Sequence, residues 1–193
     1  MLAVSALVVL TALYVIEMLR APAPLPALVL ATAEDVAPRA DPAPQPARAP
    51  LAAHRFAFPV KGYAANLRDT FADGRGRRRH EALDIMAPRG TPVVAVDDGR
   101  VARAYRSVLG GLGVYQFDRD EKHVFYYAHL DRYADGIAPG TWLKRGDLVG
   151  YVGSTGNAPE HAPHLHFAMF ELGADKRWWK GKAVDPYPLL KSE

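Results

Sequence analysis

Three regimes of hydrophobic and polar spacing follow one another along the chain. From Leu2 to Leu19 the positions are almost continuously apolar, interrupted only by Ser5, Thr11 and Glu17, and Arg20 follows directly. The run has no polar face, which sets it apart from a helix lying on the surface of a core. Its length is close to the roughly 20 apolar residues that cross a bilayer as a helix. Glu17 lies near its end, where a carboxylate can snorkel to the interface. The pattern predicts an N-terminal membrane-spanning helix over residues 1–20. A cleaved signal peptide is the alternative, because Ala31-Thr32-Ala33 reads as a small-residue cleavage site. No Lys or Arg precedes the run, however, and that site lies well beyond it, so length favours an uncleaved signal anchor.

Between Ala21 and Ala53 the pattern collapses into Ala and Pro with scattered charge. Such a composition cannot bury a core and predicts a semi-extended linker over 21–53. At roughly 3.1 Å per residue it would reach on the order of 100 Å. From His54 onward short runs of β-forming residues alternate with turn residues. Thr91–Val96 reads as a strand, and Asp97-Asp98-Gly99 as a turn into Val101–Tyr105. Gly113–Phe117 and Val124–His129 read as a hairpin joined by the charged loop Asp118–His123. Leu148–Gly153 is a short strand, and His164–Glu171 closes the series with a strict alternation. Helical periodicity is nearly absent. The expectation is a single mainly-β domain over 54–193, without internal repeats.

Composition narrows the chemistry. An apolar fraction of 49% suffices for a packed core, and a net charge of +3 is too small to argue for nucleic acid. The glycines at 110, 111 and 113 lack the strand–loop–helix context and the Lys of a phosphate loop, which excludes nucleotide binding on that motif. The chain has no Cys, so disulfides and thiolate metal sites are excluded and any metal must be held by His, Asp or Glu.

Histidines then stand out. His164 and His166 are two apart in a strand and project from the same face, while Leu165 and Phe167 point the other way. Two imidazoles on one side of a sheet can converge on one ion. His80 and Asp84 are four apart, which in a straight strand would separate them by roughly 13 Å. To share an ion the chain must bend between them, and the small Ala82 permits this. His129 ends the aromatic strand in Tyr127-Ala128-His129-Leu130. A catalytic zinc site takes three N or O ligands and keeps one position open; a His/His/Asp set supplies that number. His54, His123 and His161 read as surface or loop residues.

The segments RHEALDIMAPRGTPVVAVDDGRV, YYAHLDRY and VGSTGNAPEHAPHLHFAMFE together resemble the lysostaphin-type, or LytM-domain, zinc endopeptidases. The family pattern is H-x-x-x-D, then a His in a Y-A-H-L-like strand, then an H-x-H pair. The similarity runs from about Phe58 to about Leu190. It implies a compact antiparallel β-sheet or sandwich domain of the duplicated-hybrid-motif type. It implies zinc held by His80, Asp84 and His166. His129 and His164 would then flank the open position, activate the attacking water and stabilise the tetrahedral intermediate of amide hydrolysis; which of them is the base stays open. The implied substrate is the peptide part of peptidoglycan, cross-links or stems, reached from an inner-membrane anchor facing the periplasm or cell envelope. The rival implication is a non-catalytic module of the same fold that binds cell wall or activates a partner amidase. Many relatives have Gly where Ala82 stands, a minimal change.

Other features have plainer readings. The run Arg75, Arg77, Arg78 and Arg79 reads as a solvated loop rather than a contact for an anionic polymer. Trp178 and Trp179 either cap the core or line a groove. Asn66 reads as a turn residue, the alternative being an inhibitory ligand at the open metal position. Nothing in the pattern sets an oligomeric state.

Overall fold

The computed structural model describes residues 55–191. The segments assigned above to a membrane helix (1–20) and a linker (21–53), and His54, lie outside the described residues. Among the described residues no helix is long and apolar enough to cross a membrane.

Alternation dictates the architecture. Strand β10 (His164–Leu172) sends Leu165, Phe167 and Met169 into the main core, each at most 2% exposed, and leaves His164 and His166 on the opposite face. Strand β7 (His123–Tyr133) is buried on both faces: Phe125 and Tyr127 join the main core, while Tyr126 and Ala128 join a smaller cluster with Ala82 and Ala168. These two strands pair antiparallel from His166↔Ala128 to Glu171↔His123 and form the spine of the sheet. Fully burying each large apolar side chain here contributes roughly 1.5–3 kcal/mol.

The remaining strands are β3 (Leu83–Met86), β4 (Pro92–Val94), β5 (Gly99–Ser107), β6 (Gly111–Phe117), β8 (Trp142–Leu143), β9 (Leu148–Val152) and β11 (Gly181–Val184), preceded by a two-stranded hairpin of β1 (Gly74–Arg75) and β2 (Arg78–Arg79). The main path through the sheet is β11-β10-β7-β6-β5-β8. One edge of β10 is shared between β3, opposite His164–Phe167, and β11, opposite Met169–Leu172. Strand β9 takes over from β10 as the partner of β7 beyond His129, at Leu130–Tyr133. Helix is confined to a 3₁₀ turn at Ala64–Asn66 and one turn at Tyr187–Leu190. The mainly antiparallel β expectation is met.

The buried Tyr127 phenol and Gln116 amide are paired. Tyr127 Oη donates to Gln116 Oε1 at 2.8 Å and accepts from the Val96 amide at 3.0 Å, and Gln116 Nε2 donates to the Asp97 carbonyl at 2.7 Å. This network ties the β6–β7 hairpin to the chain leaving β4 without an unsatisfied phenol.

Two local readings are corrected. The arginine run is not an irregular loop: residues 74–79 form the β1–β2 hairpin, with Gly74↔Arg79 and Arg75↔Arg78 opposed. The bend that brings His80 back toward Asp84 falls on Glu81, at φ +55°, rather than being a consequence of the small Ala82. Ala82 is instead fully buried in the smaller cluster, where its size lets Tyr126, Ala128 and Ala168 close up.

Candidate metal centre

Strand pairing builds the centre. Asp84 on β3 and His166 on β10 are direct cross-strand partners, so their side chains rise side by side from one face. The left-handed turn at Glu81 then folds His80 over the same spot. Three donor atoms result: His80 Nε2, Asp84 Oδ1 and His166 Nδ1. Each lies 3.1 Å from the other two. The His80 side chain is 4% exposed and Asp84 is 19% exposed, so the cluster sits at the bottom of a depression rather than on a flat surface.

Backbone carbonyls fix the imidazoles. His80 Nδ1 lies 3.0 Å from the Thr70 carbonyl, His129 Nδ1 is 2.8 Å from the Thr155 carbonyl, and His164 Nδ1 is 2.8 Å from the Ala162 carbonyl. A carbonyl only accepts, so in each ring Nδ1 carries the proton and Nε2 is left with a lone pair. Thr70 does more: its hydroxyl accepts from the Asp84 amide at 3.1 Å and donates to the Ala82 carbonyl at 3.3 Å. Sequence reasoning missed Thr70 and Thr155 because the groups that act on the imidazoles are main-chain carbonyls, which no residue type announces.

His129 and His164 stand beside the triad. Their ring centroids are 4.9 Å apart, and His129 lies 5.6 Å from the His166 ring. His164 Nε2 is 3.8 Å from Asp84 Oδ1. His129 has φ +61°, a conformation non-glycine residues seldom adopt; it occurs where β7 exchanges β10 for β9, and it turns the ring toward the triad instead of along the strand. Burial lowers the His129 pKa to about 4, with the neighbouring His164 and His166 acting in the same direction and the Thr155 bond opposing. Its ring is therefore neutral at pH 7. Burial pushes the Asp84 carboxyl upward, but hydrogen bonds from His166 and His80 outweigh it and hold the group well below the usual carboxylate range.

The centre opens into a groove of about 1040 Å³ lined by all five of these residues. Arg75, from the β1–β2 hairpin, reaches in and donates to Asp84 Oδ2 at 2.6 Å, occupying the carboxylate oxygen that faces away from the triad. Tyr126 packs edge-on against His166, with centroids 6.0 Å apart. Asn66 is elsewhere: its Nδ2 donates to the Met86 carbonyl at 2.8 Å. Trp178 packs at a tilt against Tyr115, with centroids 4.7 Å apart, Trp179 is 61% exposed, and neither lines the groove. His123 pairs with Asp118 at the far turn of the β6–β7 hairpin.

This sheet is that of a hydrolase family. The sequence profile of Peptidase family M23 matches residues 78–186, more than half of the chain, and the chain belongs to that family. It is 34% identical over 153 residues to the L-Ala–D-Glu endopeptidase of Bacillus subtilis (strain 168), covering 74% of this chain and 44% of that protein. It is 33% identical over 114 residues to the glycyl-glycine endopeptidase ALE-1 of Staphylococcus capitis, covering 58% of this chain and 29% of that one. The catalytic domain of lysostaphin from Staphylococcus simulans superposes with a TM-score of 0.53 at 29% identity, over 74% of this chain and 96% of the domain. The chain thus spans less than half the length of these two curated relatives.

Proposed function

We propose that the chain is a zinc-dependent endopeptidase that hydrolyses amide bonds in the cross-links or stem peptides of peptidoglycan. The observation that carries this reading is the equilateral donor triangle of His80 Nε2, Asp84 Oδ1 and His166 Nδ1, with edges of 3.1 Å, beside two further imidazoles whose Nδ1 protons are held by main-chain carbonyls. An ion with bonds of roughly 2.0–2.1 Å has tetrahedral edges of about 3.3 Å, so two nitrogens and one carboxylate oxygen at this spacing suit zinc, and three ligands leave one position for substrate.

Bound there, zinc supplies a Lewis acid that polarises the scissile carbonyl. The chain supplies the rest. His129 and His164, on adjacent strands, line the groove, and the Nε2 lone pair of one of them would take the proton of the attacking water; the Nε2–H so formed then donates to the oxyanion. Thr70, Thr155 and Ala162 hold the rings in the tautomer this needs. Arg75 steadies the carboxylate of Asp84 so that one oxygen faces the donors.

The relatives named above are endopeptidases of an L-Ala–D-Glu bond and of glycyl-glycine, which supports a cell-wall peptide as substrate without choosing the bond. The apolar segment 1–20 and the linker 21–53 support an anchor at the inner membrane that presents the domain to the envelope, with secretion after cleavage as the alternative. A non-catalytic module has no need for two oriented imidazoles beside a complete donor set, and their presence favours the enzyme.

The test is a digest of purified sacculi, read by mass spectrometry, with zinc, with chelator, and with the His129→Asn variant; Asn tolerates the left-handed backbone at this position. Zinc-dependent release of defined muropeptides, lost in both controls, is expected. No release by folded, zinc-loaded protein overturns the reading in favour of the binding module.

A further inference from the structure

The β1–β2 hairpin brings four arginines together in five residues, Arg75 and Arg77 to Arg79. A merely solvated charge run would turn away from the centre. Instead Arg75, Arg78 and Arg79 all line the groove that holds the triad, and Arg77 alone does not. Arg75 is engaged by Asp84. Among the described residues, Arg78 and Arg79 meet no carboxylate, although both are exposed to the groove and ion pairs occur elsewhere on the surface, as between Arg89 and Asp131. The carboxylates on the groove lining are Glu81 and Asp84, and Asp84 is committed to the donor cluster.

The hairpin is held to the centre. Its strands are paired, Gly76 makes its turn at φ +66°, and the chain leaving it is pinned by hydrogen bonds from the His80 amide to the Asp73 carbonyl at 2.8 Å and from the Glu81 amide to the Phe71 carbonyl at 2.9 Å. Arg79 directly precedes His80 and lines the same groove. The other wall is different in kind. Strand order β3-β10-β7-β6-β5 puts the β5–β6 turn on the far side of the triad, and there Val108 and Leu109 are 89% and 60% exposed, with Tyr105 beside them on the lining.

We propose that Arg78 and Arg79 form a carboxylate-binding subsite, so that the groove selects a peptide bearing free carboxylates next to the scissile bond, an acidic stem peptide, over a neutral glycine bridge. The planar guanidinium fork matches a carboxylate with two parallel hydrogen bonds, and the apolar wall takes the small methyl-bearing residues of the same peptide. This deepens the peptidase reading and rests on it for the identity of the site.

The experiment compares three labelled peptides by fluorescence anisotropy on the zinc-loaded full chain: the stem tetrapeptide Ala-γ-D-Glu-diaminopimelate-D-Ala with free carboxylates, the same peptide with its D-Glu and diaminopimelate carboxylates amidated, and pentaglycine. His129→Asn blocks turnover during the measurement. The free-carboxylate peptide is expected to bind about fivefold to tenfold more tightly than the other two, as two solvent-accessible charged contacts allow, and the preference shrinks as salt is raised. Arg78→Gln with Arg79→Gln removes the preference and leaves the affinity for the amidated peptide unchanged. Equal binding of free and amidated peptides by the unsubstituted hairpin, or a preference that survives the double substitution, overturns the subsite. Hydrolysis is assayed separately with His129 intact. Selective binding without cleavage of any peptide or of sacculi would overturn the peptidase reading while leaving the subsite standing.

Discussion

His129 Nδ1 donates to the carbonyl oxygen of Thr155 at 2.8 Å, and the hydroxyl of the same threonine accepts from the Leu112 amide and donates to the Leu130 carbonyl, at 2.9 and 2.8 Å. One residue thus orients an imidazole with its main chain and braces the two strands around that imidazole with its side chain. Thr70 does the same for His80, its carbonyl holding the ring and its hydroxyl holding the Asp84 amide. The two halves of the centre, the donor triad and the flanking histidines, are each keyed by a threonine outside it.

Thr155→Val keeps the shape and the carbonyl but strips both hydroxyl bonds. Leaving the Leu112 amide and Leu130 carbonyl unpaired in a partly buried turn costs about 1–3 kcal/mol. The same loosening lets the Thr155 carbonyl drift from His129, and kcat is expected to fall by roughly tenfold or more while zinc content, measured by atomic absorption, stays at the wild-type level. Thr155→Ser restores both bonds and should recover most of the loss. A valine variant with unchanged kcat means that the brace does not position His129.

The neighbouring glycine has no room to change. A Cβ on Gly156 would lie 2.3 Å from both the Gly111 amide nitrogen and the Leu109 carbonyl oxygen, and the residue sits at φ +78°. Gly156→Ala must therefore push the 109–111 turn away, and with it the Gly110 carbonyl that accepts from the His129 amide at 2.8 Å. Strain and lost packing are expected to lower stability by about 1–3 kcal/mol, read as a denaturant midpoint, with a larger fall in kcat than Thr155→Val causes. A midpoint and kcat equal to wild type would show that the loop yields freely.

Thr70→Val acts on the metal side. Outer partners of metal ligands typically affect metal affinity by about 10- to 100-fold, and here one hydroxyl sets the backbone of Asp84. Zinc affinity, measured by competition with a chromophoric chelator, should fall within that range, with Thr70→Ser close to wild type. Unaltered affinity in the valine variant would assign Thr70 a purely structural part.

What could be read from residues alone followed physical rules with visible signatures. The alternation in His164–Glu171 and the aromatic run Val124–Ala128 fixed the two central strands, because the same spacing that predicts a strand decides which side chains enter the core. The facing of His164 and His166 followed from it. That Asp84 and His166 serve one site came only from the family resemblance, and their cross-strand pairing was not legible at all, since β3 is four residues long and has no periodicity of its own. The bend at Glu81 was invisible: a left-handed glutamate has no compositional mark. Strands β1 and β2 are written in arginine and glycine, poor β formers, and exist because the chain folds back on itself there. Strands β8 and β11 are short and lie at the periphery, where pairing with a neighbour rather than propensity defines them. The carbonyls of Thr70, Thr155 and Ala162 are main-chain groups and have no letter in the sequence.

Away from the centre, the turn between β6 and β7 supplies a pH-dependent prediction free of any metal. Asp118 is 1% exposed; its Oδ1 accepts from the amides of Lys122 and His123 at 2.8 and 3.1 Å, and its Oδ2 meets His123 Nδ1 at 2.9 Å. Burial pushes its carboxyl upward, but the bonds to His123 and to these amides prevail and lower its pKa below the ordinary value. A carboxylate depressed in the folded state adds stability above its unfolded pKa, near 3.9, and loses it as pH falls through the lower folded value. At pH 7 Asp118→Asn, which removes the charge and sets an amide NH₂ against His123, should cost about 2 kcal/mol in urea denaturation. As pH falls below the unfolded value the charge of Asp118 contributes less, and it is protonated in the folded wild type only at the lower folded value, so the gap between the two proteins should narrow steadily from near pH 4 downward. Zinc content and kcat should not differ between them at neutral pH, because the turn is remote from the groove. A gap that stays constant from pH 7 to pH 2 would mean that packing of the side chain, rather than its charge, holds the turn.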